Sequence, residues 1–207
     1  MIGFRVVINN QRSTHMNRLL LILILTFSFQ SWVKADDIKD FEIEGMSVGD
    51  SLLDYFDKNE IKKSFVYKSD KYYLFSSRKY NSKNYDGVQF HIKKNDTKFF
   101  IAAIEGLKVF DGNFNNCLKL KALIVKDLKN DFSNSNIVDD EGNHDYDPTG
   151  KSKYYRTSIS INPQAKYFNM TVTCYDWSKK IEDKYSDKLS VAISNDEFNI
   201  FTNDEAY

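Results

Sequence analysis

The chain has 207 residues, of which 42% are hydrophobic and 15% aromatic. This is enough apolar material for one domain of ordinary size with a buried core, and it argues against disorder over most of the chain. Basic and acidic residues balance at 29 each, whereas proteins that bind nucleic acid normally concentrate a basic excess on one face. The composition therefore disfavours a nucleic-acid partner.

The N-terminal segment has the pattern of an export signal. Residues 16–35 begin with a short basic stretch at Arg18, continue with an apolar run over residues 19–29, and end in Val-Lys-Ala. Because this ending fits the signal-peptidase pocket, we expect cleavage after Ala35 and a periplasmic or secreted protein. Residues 1–15 are then an extension ahead of the true start codon.

The apolar run is short for a membrane helix. Spanning a bilayer takes about 20 apolar residues, and the run over residues 19–29 has eleven. We therefore expect no stable membrane span after cleavage, and an uncleaved anchor is the alternative. Residues 36–207 are predicted to form a single mature domain.

Both cysteines, Cys117 and Cys174, fall in the predicted mature domain. An exported chain meets an oxidising compartment, where a pair of cysteines is expected to form a disulfide. The bridge would close a long loop and stabilise the fold by about 4 kcal/mol on the loop-entropy model. The alternative is a pair of buried free thiols.

The mature chain opens with a pattern typical of a helix start. In "EGMSVGDSLLDYF", residues 44–56, Ser47 and Asp50 form a capping pair ahead of clustered apolar residues. At Lys71 the hydrophobic period changes from 3.6 to 2, which predicts a meander of three antiparallel strands with one buried face. The strongest helical pattern follows over residues 112–132.

The remaining chain repeats this order of elements. Residues 133–152 are predicted as a long polar loop, and a second three-strand meander follows before a tail without a clear period. The pattern predicts an α+β fold in which helices pack on one face of an antiparallel meander sheet. The repeated order suggests two helix-plus-three-strand units in tandem.

The string Gly49-Asp50-Ser51-Leu52 resembles the first sequence block of the GDSL, or SGNH, hydrolases. That resemblance implies a parallel α/β fold with Ser51 as the nucleophile and a histidine base preceded by an acid, for which His144 is the candidate. The family places Asp three residues before the base, whereas Glu141 stands there. A serine without an imidazole is a weak nucleophile at neutral pH. We therefore interpret Ser51 as a helix-start residue and predict no catalytic residue, with a diverged serine esterase using Ser51 and His144 as the alternative.

The predicted loop around His144 is acidic. Carboxylate oxygens of this kind bind calcium, and the candidate ligands are Asp139, Asp140, Glu141, Asp145 and Asp147. An EF-hand loop that starts at Asp139 needs glycine at its sixth position, where His144 stands. The interpretation is a solvated loop, and we predict neither a metal nor a cofactor.

Gly45-Met46-Ser47, followed by an apolar helix and later a meander, resembles the small outer-membrane assembly lipoproteins of the BamE/SmpA type. It is also similar to the related β-lactamase-inhibitor-protein fold. The resemblance implies a helical pair packed on an antiparallel sheet, but the chain lacks the lipobox cysteine of the lipoproteins. The mature sequence as a whole resembles uncharacterised exported proteins of marine bacteria with AT-rich genomes.

Together these features favour an exported binding or interaction domain of the cell envelope that catalyses nothing. The reasons are the export signal, the balanced charge, and a sequence in which no nucleophile, base or metal set stands at workable spacing. An envelope protein is the expected partner. The identity of the ligand and the oligomeric state stay open.

Overall fold

A computed structural model describes the chain from Asp37 onward with four short gaps. The described residues are 37–61, 65–67, 70–77, 82–182 and 184–206. They belong to one compact unit. The predicted extension over residues 1–15 and the predicted signal peptide over residues 16–35 lie outside them. Within the described ranges, no helix combines the length and the apolar character that crossing a membrane requires.

One antiparallel sheet of eight strands organises these residues. The strands are β1 Phe65–Val66, β2 Tyr72–Ser77, β3 Gly87–Lys93, β4 Ile101–Val109, β5 Asn136–Asn143, β6 Lys153–Ser160, β7 Met170–Asp176 and β8 Lys188–Ser194. Their order in space is β1-β2-β3-β4-β8-β7-β6-β5. All strands except the two-residue edge strand β1 have six to nine residues.

The sheet consists of two runs of neighbouring strands that meet at its centre. Strands β1 to β4 advance from one edge inward, and β5 to β8 advance from the other edge inward. The runs join where β4 pairs with β8, with Ala103 opposite Ser194 and Val109 opposite Lys188. Since successive residues of a strand point to opposite faces, every strand contributes to both faces of the sheet.

One face is covered by helix α2, Phe114–Asp131, which links β4 to β5; we call this the helix face. Cys117, Val125 and Leu128 are buried at helical spacing, which places them on one side of the helix. They share a single apolar core with inward residues of the sheet such as Leu189. Burial of this side, rather than helix propensity alone, holds α2 in place.

A disulfide also fastens α2 to the sheet. Cys117 on the helix is bonded to Cys174 on β7, with 6.0 Å between their Cα atoms. The predicted bridge is therefore confirmed. Both cysteines are fully buried in the same core.

The segment before β1 completes the helix face. It contains a 3₁₀ helix, Leu52–Asp54, and a four-residue helix α1, Lys58–Ile61. Its apolar residues enter the core that α2 covers, and those most deeply buried are Ile43, Met46, Val48, Leu52 and Ile61.

The predicted capping pair forms a turn instead of opening a helix. The Asp50 carboxylate accepts the Ser47 amide at 2.8 Å, but helical backbone starts only after Ser51 and lasts three residues. Main-chain bonds to the start of β4 use the amides that a longer helix would need, since Gly49 donates to the carbonyl of Ile101 at 2.9 Å. The prediction of a helix that starts at Ser47 is wrong for this reason.

The opposite face carries the C-terminal helical segment over part of its area; we call this the open face. Helix α3, Asp196–Ile200, continues into a π-helical turn, Phe201–Glu205. Phe198 and Phe201 pack on Tyr72, with ring centroids 5.1 and 4.6 Å away. The segment therefore covers the part of the open face around Tyr72 and the start of β4.

These observations overturn the predicted fold class. The sheet is continuous across both halves of the chain, and its helical elements lie on both faces, whereas the sequence predicted helices on one face and two helix-plus-three-strand units in tandem. Among the described residues, the first unit has three short helices, Ile38–Asp40, Leu52–Asp54 and Lys58–Ile61, and no long one. The molecule is mainly an antiparallel sheet with one long helix.

The predicted polar loop over residues 133–152 contains strand β5. Asp140 pairs with Arg156 and Asn143 with Lys153 in a regular hairpin with β6. An edge strand has one exposed side and tolerates charged residues, so its sequence lacks the alternation that marks a buried strand. The loop prediction is wrong for Asn136–Asn143.

Candidate functional site: a polar groove on the open face

Small polar residues line the middle of the open face. Ser158 of β6 is opposite Thr171 of β7, and Thr171 is opposite Ala192 of β8. Because these three side chains are short, the surface of the sheet is recessed here relative to the elements on both sides. We call the resulting depression the polar groove.

The polar groove has a volume of about 600 Å³, which falls within the range of small-molecule sites. Its floor is the row of short residues on β6, β7 and β8. Its walls are β5, the connection between β6 and β7, and the C-terminal helical segment. The wall residues include Val138, Asp140, Lys166, Tyr167, Phe168, Asn199, Thr202 and Asn203.

Charged side chains at the groove are paired with one another. Arg156 Nη2 lies 2.5 Å from Asp140 Oδ2, and the Tyr154 hydroxyl donates to the same carboxylate at 3.2 Å. The Arg156 guanidinium also lies over the Tyr154 ring, 5.1 Å from its centroid. On the other wall, Lys166 Nζ lies 3.1 Å from Asp204 Oδ2. The groove is therefore polar without an excess of either charge.

Asn199 carries the least satisfied polar group of the groove. Only 6% of the residue is exposed, and its amide Nδ2 is buried without a hydrogen-bond acceptor in the described part of the chain. Its Oδ1 accepts from the Ser194 hydroxyl. If the amide oxygen and nitrogen were exchanged, Nδ2 would donate to the Ser194 hydroxyl, which can accept as well as donate. Oδ1 would then be the amide atom without a partner. A buried amide without a partner costs about 1–3 kcal/mol.

A second hydrogen-bond donor at the groove also lacks an acceptor. Arg156 Nε is buried and has no acceptor among the described residues, although the tip of the guanidinium contacts Asp140. Asn199 and Arg156 thus both line the depression, and each has one buried donor, Nδ2 and Nε, without an acceptor among the described residues.

Aromatic rings stand at one rim. Tyr167 and Phe168 are half-buried on the connection between β6 and β7. The Tyr167 hydroxyl donates to Asp204, and Lys166 Nζ lies 4.8 Å from the Tyr167 ring centroid. These contacts hold the ring of Tyr167 against the C-terminal helical segment.

Ser51, the candidate nucleophile of the esterase alternative, has a structural role. It is the N-cap of the 3₁₀ helix, and its hydroxyl accepts the Leu53 amide at 3.2 Å. The same hydroxyl donates to the Lys98 carbonyl at 2.7 Å. Its proton therefore points to a main-chain oxygen, which cannot act as a general base.

His144, the candidate base, lies at the other end of the sheet. Ser51 forms a β-bridge with Phe100, the residue immediately before β4. The first residues of β4 pair with the last residues of β8. His144 follows the last residue of β5, at the end of the sheet where β7 finishes. Its ring packs on Trp177, 4.5 Å between centroids, and partial burial lowers its pKa. The structure does not bring Ser51 and His144 together.

The candidate calcium ligands do not converge either. Asp139 and Asp140 are neighbours on an extended strand and point to opposite faces, Asp139 toward Lys121 on α2 and Asp140 toward Arg156. Glu141 lies further along the same strand. Across the described ranges, no group of three or more His, Cys, Asp or Glu side chains has metal-binding geometry.

Asp147 closes the turn between β5 and β6, and its neighbour Asp145 lies exposed in that turn. The Asp147 carboxylate accepts the hydroxyl of Thr149 at 2.7 Å and that of Ser152 at 2.8 Å. The Thr149 hydroxyl bond is the main cause that holds the pKa of Asp147 well below its usual value. The Asp147 carboxylate therefore stabilises the turn through these hydrogen bonds.

The residues of the groove come from distant segments of the chain, so local sequence patterns did not predict them. One usable signal was present in the tail, where Asn195 precedes two acidic residues and then apolar Phe198 and Phe201, a pattern typical of a helix start. The structure has Asn195 as the N-cap of α3, accepting the Phe198 amide at 2.8 Å. The floor of the groove gives no comparable signal.

Comparison with known proteins gives no family assignment for the chain. No protein-family model, no curated protein and no solved structure matches it.

Proposed function

We propose that the protein is an exported, non-catalytic binding domain of the cell envelope, and that the polar groove on its open face is the ligand site. The observation that carries this proposal is the buried amide of Asn199, which lines a depression of about 600 Å³ and has no acceptor in the described part of the chain. A ligand oxygen at that position would remove the penalty of the unfilled donor.

The geometry of Ser51 supports binding over ester hydrolysis. Its hydroxyl bonds to the Lys98 carbonyl, and the only histidine that the sequence offered as its base, His144, lies at the far end of the sheet. A serine hydrolase needs the imidazole within hydrogen-bond reach of the nucleophile or through one water.

The disulfide between Cys117 and Cys174 supports export. Structural disulfides persist in oxidising compartments and are rare in a reducing cytosol. Together with the predicted signal peptide, this favours a periplasmic or secreted location. The location can be tested by fractionating cells that express the full chain and assaying the redox state of the two cysteines.

A binding titration tests the groove. Heteronuclear NMR spectra of the protein are recorded while neutral oligosaccharides, acidic oligosaccharides and short peptides are added separately. We expect at least one class to shift the signals of Thr171 and Asn199. The Ala192→Leu variant, which fills the floor, should abolish the shifts, and the Ala122→Leu variant, an exposed position on α2, should leave them intact.

The proposal fails if no class of ligand binds, or if binding survives in Ala192→Leu. A melting curve of each variant separates loss of binding from loss of the fold. Turnover of an aryl ester that disappears in Ser51→Ala would replace this proposal with the esterase.

A further inference from the structure

We infer that the ligand of the polar groove is an uncharged oligosaccharide. This inference rests on the proposed function, because it assigns a chemical class to the occupant of the same site. It follows from three properties of the groove: its paired charges, its unfilled donors and its aromatic rim.

The charges of the groove exclude a strongly ionic ligand. The cation of Arg156 is bonded to Asp140, and that of Lys166 is bonded to Asp204. A phosphate or carboxylate at Arg156 or Lys166 would also face the carboxylate already bonded there, and an ammonium group at Asp140 or Asp204 would face the cation already bonded there. An uncharged ligand enters without breaking either pair.

The unfilled hydrogen-bonding groups exclude an apolar ligand. Asn199 Nδ2 and Arg156 Nε are buried without acceptors in the described residues, and the hydroxyl groups of Ser158 and Thr171 belong to residues that line the floor. A hydrocarbon would cover these groups and leave them unpaired, which is unfavourable. Sugar hydroxyls both donate and accept, so they match amide and hydroxyl side chains in either orientation.

The rim supplies the apolar complement of a sugar ring. A pyranose has hydroxyl groups around its edge and C–H groups on its faces, and the latter pack on aromatic rings. Tyr167 and Phe168 present half-buried rings beside the polar floor. Polar groups that fix orientation next to an aromatic surface are a usual composition for a small-molecule site.

An extended peptide fits the groove less well. Peptides that bind to sheets usually add a strand at an edge, where free main-chain groups form a ladder. The floor of the groove is instead the side-chain surface of β6, β7 and β8, whose main-chain groups already pair within the sheet. A peptide there would keep its own amides without a regular set of partners.

The volume agrees with an occupant of more than one sugar unit. The space of about 600 Å³ lies in the middle of the range for drug-sized ligands. The groove is also open on one side, since Asn203 and Val138 on its two walls are both exposed. A chain of sugars can therefore continue beyond the site.

Isothermal titration calorimetry with defined probes tests the inference. The neutral probes are hexamers of glucose, mannose and N-acetylglucosamine; the comparison probes are a galacturonic acid hexamer and a neutral hexapeptide. We expect at least one neutral hexamer to bind and the acidic hexamer and the peptide to bind at least tenfold more weakly.

Two variants place the binding in the groove. Thr171→Val removes one floor hydroxyl at nearly constant volume, and we expect about fivefold to tenfold weaker binding, the usual effect of one lost hydrogen bond. Thr97→Val makes the same change at an exposed position between β3 and β4 and should leave affinity unchanged. Ala192→Leu, which fills the floor, should remove binding.

The outcomes separate the two proposals. If only the acidic hexamer or the peptide binds, and Ala192→Leu abolishes that binding, the oligosaccharide assignment falls and the binding function stands. If a neutral hexamer binds equally well to Ala192→Leu and the parent protein, the groove is not its site and the inference falls. If none of the probes binds, the oligosaccharide assignment falls, and the wider ligand panel then decides the binding function.

Discussion

The two faces of the sheet are built from the same strands but have opposite character. On β8 the residues toward the helix face are Leu189, Val191 and Ile193, each at most 1% exposed, and the alternate residues toward the open face are Ser190, Ala192 and Ser194. One face is an apolar core closed by α2 and a disulfide, and the other is a polar surface that the C-terminal segment covers only in part. The apolar core and the polar surface therefore use alternate residues of the same strand.

If the helix face supplies the stability, breaking the disulfide should have the largest effect. Replacing both cysteines, Cys117→Ala with Cys174→Ala, should lower the free energy of unfolding by about 4 kcal/mol, because the unfolded chain regains the entropy of a long loop. Urea unfolding followed by tryptophan fluorescence measures the change. The control is a reducing agent, which should destabilise the parent protein and leave the double variant unaffected.

A pH titration probes the contact between the open face and the C-terminal segment. His91 packs on Phe198, 4.6 Å between ring centroids, and its Nδ1 lies 2.7 Å from the Tyr67 hydroxyl. Burial lowers the pKa of His91 to about 4, so the folded protein holds the neutral ring, whereas an unfolded histidine titrates near 6.5. Stability should therefore be complete above about pH 7 and fall as the pH drops from about 6.5 to 4, by up to about 3 kcal/mol.

Unfolding curves at a series of pH values check this prediction. A His91→Gln variant should lose the part of the pH dependence that lies between pH 6.5 and 4. The control is His144→Gln: burial also lowers the pKa of His144, but that ring is less enclosed, so the slope should change less. An unaltered slope in His91→Gln would show that the ring is not enclosed as described.

Two glycines offer a matched test of how tightly each face is packed. A Cβ at Gly106, on the helix face, would lie 2.8 Å from ring atoms of Tyr85, and a Cβ at Gly142, on the open face, would lie 2.9 Å from the Tyr154 hydroxyl. Gly106→Ala should cost about 1–3 kcal/mol, because a ring packed on the core must move. Gly142→Ala should cost less than about 1 kcal/mol, because the half-buried Tyr154 ring lies outside the apolar core and can shift more easily. Equal costs, measured by urea unfolding, would contradict the contrast between the faces.

The smallest expected effect concerns Ser51. Ser51→Ala removes an N-cap and a bond to the Lys98 carbonyl, and it should lower stability by about 1 kcal/mol. Hydrolysis of aryl esters should stay at the uncatalysed rate in both proteins. An ester activity that this single change abolishes would give the helix face a chemical role and reverse the comparison.

Local patterns in the sequence predicted some elements well. The apolar spacing of Cys117, Val125 and Leu128 marked α2, and alternation such as Val88, Phe90 and Ile92 marked β3, because burial on one face imposes a period on each. The disulfide was predicted from two cysteines in a chain with a predicted export signal. These features depend on short stretches of sequence and on a single buried surface.

Features that depend on distant segments were not predictable in this way. The edge strand β5 has no fully buried side, so Asp139, Asp140 and Glu141 gave it the composition of a loop. The pairing of β4 with β8 makes one sheet from two halves. No pattern in the sequence of either strand indicates that pairing. The polar groove joins Thr171, Ala192 and Asn199 across three elements, and nothing in their local sequence distinguishes them from ordinary surface residues.

The position of β8 has a consequence for how the protein is made. The central seam of the sheet joins residues far apart in the chain, such as Ala103 and Ser194, so its closure requires a large loop and is expected to come late in folding. In a chain that crosses a membrane pore N-terminus first, the edge of β4 would stay unpaired and accessible to other chains until β8, the last strand, emerged. Unpaired edges recruit further strands, so the risk of aggregation is greatest while the chain is incomplete and ends when β8 pairs with β4.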